Sequence, residues 1–207
     1  MFASSMMYLD VAVLDYWYTN ECVVGGPHFS YKYFLTTATV VGAIFGCIGC
    51  FLFQTYLQTW SYRGLFAIAT VCKCSGALVD IILVNRWNVT VISDKSLFLL
   101  GNCAVRSLVG MLDSLPAVVL VSRLVRGGNE ATMYALLAGF QNLGSTIASA
   151  GGVVVASALN VHISPNICEY GNMTSLIAIS HIVLPLSTLM LLPCLPHATM
   201  HEVIDVH

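Results

Sequence analysis

Charged side chains are scarce in this sequence. Only 9% of its 207 residues are Asp, Glu, Lys or Arg, while 57% are hydrophobic; a soluble domain usually carries about 25% charged residues. This shortage excludes a water-soluble globular protein, because polar groups could not cover its surface. The mean hydropathy of +0.83 predicts a membrane protein instead. The net charge of −2 also provides no basic surface for nucleic acid.

Signatures of secretion and catalysis are also missing. Residues 1–20 hold no basic residue, and Asp10 and Asp15 interrupt their apolar run, so they form neither a secretory signal nor a complete span. The sequence shows no nucleophile with a neighbouring base and no phosphate-binding loop, and we therefore expect neither an enzyme nor a cofactor. Cys47 and Cys50 lack the further ligands that zinc requires, so no metal site is predicted.

Five apolar stretches are each long enough to cross a bilayer, which takes about 20 residues. Short loops with turn-forming residues separate them, and no soluble domain intervenes. The fourth stretch is long enough to require tilt or a bend, for which Gly151 and Gly152 are the expected place. The sequence therefore predicts an all-α membrane protein with spans at about 34–57, 64–84, 96–121, 131–159 and 174–193, followed by a tail at 194–207.

Orientation in the membrane depends on two glycosylation sequons. The basic residues are divided equally between the two sides and do not decide it. The sequons at Asn88 and Asn172 both fall on one side, and N-glycans are added to extracellular surfaces. We therefore expect the loops after the second and fourth spans to face outward, with Asn88 and Asn172 as possible glycosylation sites, and the C-terminal tail to face the cytosol.

Four ionisable residues lie inside the apolar spans, where a buried charge is costly and a functional role is the first hypothesis. Lys73 and Asp80 are seven residues apart in the second span, as are Arg106 and Asp113 in the third. Seven residues are close to two helical turns, so each pair shares one face at about 10 Å separation. We expect each group to find its partner on a neighbouring helix or in a wet cavity; structural pairs and a substrate site both remain open.

Small residues recur at four-residue spacing in two spans. Gly42 and Gly46 lie in the first span, and Gly144, Ala148 and Gly152 continue the same spacing through the fourth. This spacing allows helix backbones to approach closely. Helix packing is the favoured interpretation, and a path for substrate is the alternative.

A resemblance to a known family covers most of the chain. The segment EATMYALLAG at 130–139, followed by Asn142 and Gly144, resembles the signature of the folate–biopterin transporter family, within the major facilitator superfamily. GPHFSY at 26–31, WSYR at 60–63 and VNRWN at 84–88 match in the same order, most like the protozoan branch. Relatives commonly have Cys-Pro-Lys-Gly where this chain has VRGG at 125–128, which keeps a positive charge but loses the proline.

The resemblance implies twelve spans in two six-helix halves. The five spans would correspond to helices eight to twelve, residues 34–193 to the C-terminal bundle, and residues 1–33 to a remnant of helix seven with an extracellular loop. We therefore expect the C-terminal half of an alternating-access carrier for folate or pteridines, coupled to protons, in the plasma membrane. The alternative is a non-transporting relic, or a membrane subunit that associates with a full-length relative.

The resemblance also ranks the polar residues. It places Arg106 and Asp113 on the tenth helix, which lines the central cavity, and Gln141 and Asn142 on the eleventh. It implies that these four residues bind substrate, with Arg106 holding a folate carboxylate and Asp113 taking part in proton coupling.

Structural roles are expected for the remaining charges. Lys73 and Asp80 fall on the ninth helix, which packs on the outside of the bundle. Glu130 begins a helix on the cytosolic side, where its charge suits the positive end of the helix dipole. Arg123 and Arg126 are the candidate partners for Glu130, and a structural role is expected for Arg126.

Two of the eight cysteines lie in loops, Cys22 and Cys168, and the expected topology places both outside. An oxidising exterior permits a disulfide, and relatives tend to carry cysteine at similar loop positions. A disulfide that links Cys22 and Cys168 is therefore expected, with two unrelated free thiols as the alternative.

Overall fold

The computed structural model describes residues 6–124, 129–164, 167–195 and 199. Helices predominate, and several of them contain π-helical turns. In chain order the elements are α1 (Ala12–Thr19), α2 (Lys32–Leu57), α3 (Tyr62–Val84), α4 (Asp94–Leu97, Phe98–Ala104 and Val105–Leu124), α5 (Glu130–Ala158), β1 (His162–Ser164), β2 (Ile167–Glu169) and α6 (Met173–Cys194).

Among the described residues, four helices are long and apolar enough to cross a membrane: α2, α3, α4 over Asp94–Leu120, and α6. The prediction of an all-α membrane protein is confirmed, but the number of such helices is four rather than five. The fourth expected span, at 131–159, folds as α5, a single helix of 29 residues, and is the one absent from these four. It is less apolar because one stretch carries Gln141, Asn142, Ser145, Thr146 and Ser149.

A two-stranded hairpin departs from the all-helical expectation. Strands β1 and β2 pair antiparallel, with Ile163 opposite Cys168. Strands of three residues are too short to show an alternating pattern in the sequence. The hairpin presents Cys168 towards the loop that comes after α1.

Close approach of α2 and α4 depends on glycine. A Cβ atom added at Gly42 would lie 2.7 Å from the Ser107 hydroxyl oxygen, and one at Gly49 would lie 3.0 Å from the Leu108 carbonyl oxygen. Both distances are shorter than a carbon atom tolerates without movement of its neighbour. The helix-packing interpretation therefore applies to this face of α2, where backbone proximity replaces the hydrophobic effect that is absent between helices in lipid.

Gly152 has a similar role in α5, which continues through Gly151 and Gly152 to Ala158. The sequence predicts a bend at this pair of glycines, but the structure gives them a different purpose. A Cβ atom at Gly152 would collide with the Asp10 backbone carbonyl, and one at Gly151 would lie 3.0 Å from Leu9. The glycines let the segment before α1 lie directly against α5.

The segment before α1 and α1 itself belong to the core of the bundle. Leu14, Trp17 and Tyr18 are buried, and they pack in one cluster with side chains of α3, α4 and α6. Many apolar side chains on the outside of the bundle are exposed, among them Phe51 of α2 at 62%. An apolar exterior around a packed interior is what a lipid environment requires.

The end of the bundle that carries both sequons is cross-linked. Cys22 and Cys168 form a disulfide with their Cα atoms 6.1 Å apart. Asn172 is exposed, and its side chain donates to the Leu159 carbonyl oxygen at 2.8 Å. Asn88 is only 4% exposed, and its amide nitrogen donates to Ile92 and Asp94. A glycan on Asn88 would break these hydrogen bonds, whereas Asn172 is accessible.

Arg63 joins two helices at the opposite end. Ser61 caps α3 by accepting a hydrogen bond from the Gly64 amide at 3.2 Å. The Arg63 guanidinium donates to the carbonyl oxygens of Pro193 and Leu195. These carbonyls lie at the C-terminal end of α6, where a cation also suits the helix dipole.

Candidate substrate site

Three cavities meet around Arg106. The first, which we call the inner cavity, has a volume of 230 Å³ and lies among α3, α4, α5 and the segment before α1. The second, the adjoining cavity, measures 350 Å³. Tyr8, Lys73, Arg106 and Asp113 line both of them. The third, a wide groove of 780 Å³ between α2 and α4, is lined by Asp15, Gly42, Gly46 and Arg106 among others.

An ion pair crosses the inner cavity. The Lys73 ammonium on α3 lies 2.7 Å from a carboxylate oxygen of Asp113 on α4. Their side chains are 18% and 24% exposed, so neither charge is sealed from the cavity. The pair agrees with the expectation that each charge finds a partner on a neighbouring helix. It also brings together Asp113, predicted to bind substrate, and Lys73, predicted to be structural.

Arg106 is exposed, and no ion pair joins it to a carboxylate among the described residues. Its guanidinium carbon lies 5.9 Å from the centroid of the Tyr8 ring, and the Lys73 ammonium lies at the same distance. An aromatic ring this close attracts a cation. Arg106 therefore presents a positive charge to all three cavities while its donors stay available to an anion.

Tyr8 is held in place by α6. Its ring stacks on the His181 imidazole, with centroids 4.6 Å apart and planes 3° from parallel. His181 is buried, and its Nε2 atom lies 3.0 Å from the Leu9 carbonyl oxygen. Stacked rings of this kind add to the stability that burial alone provides. The contact fixes an aromatic surface at the wall that the inner and adjoining cavities share.

Asp80 lies beside the inner cavity but is engaged by the protein. It is 4% exposed and accepts hydrogen bonds from the Tyr18 hydroxyl at 2.7 Å and from the Asn102 amide. These three residues come from α1, α3 and α4. The network satisfies a buried carboxylate, which would otherwise be very unfavourable.

The two amides of α5 differ in position. Gln141 lines the inner cavity. Asn142 is exposed and lines none of the three cavities; its backbone carbonyl accepts from the Thr146 hydroxyl. The structure therefore brings three of the four predicted substrate residues together, namely Arg106, Asp113 and Gln141.

Other predicted residues lie apart from the cavities or outside the described region. Arg126 is not among the described residues, and Glu130 begins α5 without a described side chain. Within the described residues, no group of three or more His, Cys, Asp or Glu side chains could hold a metal ion.

Sequence reasoning missed two residues of the inner cavity, Tyr8 and Asn102. Asn102 precedes Arg106 by four residues and Asp113 by eleven, a spacing that places all three on one face of α4. That spacing could have revealed it. Tyr8 carries no comparable signal, because it belongs to a segment without helical periodicity.

Comparison with known proteins identifies relatives along the whole chain. A family model described as the BT1 family matches residues 3–207. The relative named "Folate-biopterin transporter" from Synechocystis is 30% identical over 162 residues, which is 77% of this chain and 32% of that protein. "Probable folate-biopterin transporter 4" from Arabidopsis thaliana is 36% identical over 129 residues, 62% of this chain and 26% of that protein.

A third relative, "Probable folate-biopterin transporter 6" from Arabidopsis thaliana, is 28% identical over 168 residues, 81% of this chain and 32% of its own length. The chain thus spans about a third or less of the curated relatives that it matches. No solved structure matches it significantly. Because the family model covers nearly every residue, the resemblance noted in the sequence is confirmed, and the chain belongs to the BT1 family.

Proposed function

We propose that this chain forms the C-terminal half of an alternating-access membrane carrier for folate or biopterin-type pteridines. The observation that carries the proposal is a charged cavity inside a bundle of membrane-length helices. Polar and ionisable groups at such depth normally mark the path of a substrate or ion. Relatives named as folate-biopterin transporters supply the substrate class.

The chemistry of the inner cavity suits such a ligand. A pteridine ring carries several hydrogen-bond donors and acceptors, which the amides of Gln141 and Asn102 complement. The Tyr8 ring offers a flat surface for stacking. The carboxylates of folate would bind Arg106, whose planar guanidinium is shaped for two parallel hydrogen bonds.

Alternating access also requires a second half and a driving ion. We propose that protons drive transport through Asp113, which lines both polar cavities. We place the carrier in the plasma membrane, with the sequon end of the bundle outside and the C-terminus in the cytosol. The exposed position of Asn172 and the disulfide at the same end support this orientation. N-glycosylation and disulfide formation both take place on the side of the membrane that becomes extracellular.

Uptake by a chimeric carrier tests the proposal. Residues 6–195 would replace the matching segment of the Synechocystis relative, and uptake of labelled folate and biopterin would be measured in cells without their own carrier. We expect saturable uptake of at least one of the two. A chimera that reaches the membrane in folded form and transports neither compound would refute the assignment. The same chimera with the exposed Lys95 changed to Ala is a control for the manipulation.

A further inference from the structure

We propose that the ion pair of Lys73 and Asp113 exchanges partners when an anionic ligand binds. A ligand carboxylate that enters the inner cavity replaces Asp113 as the partner of Lys73, and the displaced Asp113 carboxylate takes up a proton. This inference rests on the proposed function. It names the two groups through which proton coupling occurs, the Lys73 ammonium and the Asp113 carboxylate. It also assigns to Lys73 a role in binding rather than in structure alone.

The position of the pair makes such an exchange feasible. The Lys73 ammonium and the Asp113 carboxylate are 2.7 Å apart, and both side chains retain some exposure. Both residues line the inner and the adjoining cavity, together with Arg106. A carboxylate that binds Arg106 therefore arrives in the same cavities as the ammonium of Lys73. It then competes directly with Asp113 for that ammonium.

The charges around Asp113 determine the fate of its carboxylate after displacement. Lys73 and Asp80 face the inner cavity from α3, Arg106 faces it from α4, and Tyr8 and Asp10 line the cavities from the segment before α1. The side chains that α5 contributes are uncharged: Gln141, Ser145, Ala148 and Ser149. Asp80 is already held by Tyr18 and Asn102, so it does not take over the role of Asp113.

Proton uptake is the favourable outcome for a displaced Asp113. An ionised carboxylate that loses its cation in a low-dielectric site becomes much less stable, whereas its protonated form does not. One negative charge enters with the ligand carboxylate, and one positive charge enters as the proton on an Asp113 oxygen. The only covalent bond that breaks is the one between the proton and its donor, a water or buffer molecule. Release of the ligand reverses both events, so the net charge of the site is the same before and after.

Exchange of partners makes a prediction that depends on the ligand. Folate carries carboxylates and can displace Asp113. Biopterin carries none, so it should bind without disturbing the ion pair.

Proton uptake on binding tests the inference directly. The chimeric carrier of the uptake experiment, called the parent chain below, supplies both halves; purified in lipid nanodiscs, it would be titrated with folate and with biopterin in weak buffer containing a pH indicator. We expect uptake of about one proton for each folate bound and none with biopterin, since one carboxylate changes partner. Asp113→Asn should still bind folate but take up no proton.

A matched variant controls for the loss of an ion pair. Asp94 is paired with Arg86 at 2.9 Å, with exposures of 21% and 32%, at the sequon end of the bundle away from the cavities. Asp94→Asn should therefore leave the proton uptake with folate unchanged.

A double variant provides a second measurement. Asp113→Asn alone alters the charge balance of the cavity, whereas Lys73→Gln combined with Asp113→Asn keeps the site neutral at this pair. It should fold, bind folate more weakly than the parent chain and take up no proton.

The outcomes separate the inference from the function on which it rests. Folate binding by the parent chain without proton uptake, or unchanged uptake in Asp113→Asn or in the double variant, would overturn the partner exchange and leave the carrier assignment standing. Uptake of equal size with biopterin would overturn it as well. A folded parent chain that binds neither ligand would instead overturn the proposed function.

Discussion

Arg106 is the residue at which the three cavities meet, and its removal should distinguish anionic from neutral substrates. In the chimeric carrier, Arg106→Ala removes the charge-assisted bidentate contact that we propose with a folate carboxylate. Hydrogen bonds to charged groups contribute about 1.5–3 kcal/mol, so folate transport should fall by roughly 10- to 100-fold or more. Biopterin transport should fall less. Initial rates of uptake for both compounds, normalised to the protein in the membrane, provide the comparison.

Arg106→Lys is the informative companion variant because it keeps the charge and loses the planar fork. We expect folate transport between that of the parent chimera and that of Arg106→Ala. Normal folate transport by Arg106→Ala would show that this arginine does not hold the substrate anion.

Asp80 should matter for folding more than for transport. Asp80→Asn changes an acceptor that the Tyr18 hydroxyl and the Asn102 amide both use, and a buried group left unsatisfied costs about 1–3 kcal/mol. The yield of folded protein, measured by size-exclusion chromatography in detergent, should therefore fall. Tyr18→Phe, which removes one donor, should cause a smaller loss of the same kind. A normal yield combined with lost transport would contradict the structural role.

The partners of these charges lie beyond what one sequence can predict. The spacing of Lys73, Asp80, Arg106 and Asp113 shows which residues share a helical face. It does not show how far each helix is rotated about its own axis. The ion pair of Lys73 and Asp113 joins residues 40 positions apart, and the packing of α3 on α4 decides it. For this reason, the sequence predicts a structural role for Lys73 and a substrate-binding role for Asp113, although the structure brings the two residues together.

Helix positions, by contrast, can be read closely from apolar runs. Helix α3 covers Tyr62–Val84, where hydropathy indicates a span at 64–84. In a bilayer, every backbone N–H and C=O group must form its hydrogen bond within the protein. An apolar run of this length therefore folds as a helix. The hairpin and α1 lack such a constraint, and tertiary contacts determine them.

Glycine at the contact between α5 and the segment before α1 gives an element-scale prediction. Gly152→Ala should lower the melting temperature, because the new Cβ atom would collide with the Asp10 backbone. Gly139→Ala, in the same helix, is the matched control. Nothing lies within 4 Å of a Cβ atom at Gly139, so the change should stabilise the helix by about 0.5–1 kcal/mol. Thermal unfolding monitored by circular dichroism in detergent measures both effects; equal shifts would contradict the close contact.

The disulfide is a second element-scale feature, since it ties the loop after α1 to the β-hairpin. In intact cells, an impermeant maleimide should label Cys22 and Cys168 only after reduction. Replacing both cysteines by serine should cost about 2–4 kcal/mol of stability. A chain with only Cys47 and Cys194 changed to serine is the control, because both are free thiols outside the bond. Full labelling before reduction would exclude the disulfide in the cell.

At the scale of the whole molecule, the length of the chain limits its ability to transport. Alternating access needs two halves that move around one site, and this chain spans about a third of the relatives it matches. We expect the 207-residue chain, expressed by itself in cells without a folate carrier, not to concentrate folate or biopterin. Saturable uptake by this chain would contradict the expectation and indicate a homodimer. Cross-linking in the membrane would then detect the dimer.

The bond between Cys22 and Cys168 joins residues 146 positions apart, and α2, α3, α4 and α5 lie between them. A protease that cuts once anywhere between the two cysteines therefore produces two fragments that remain one covalent molecule. Such a nicked protein would migrate as a single species until it is reduced, and its helices would remain together in the membrane. The cross-link thus keeps the cleaved protein in one piece, whether or not a substrate is bound.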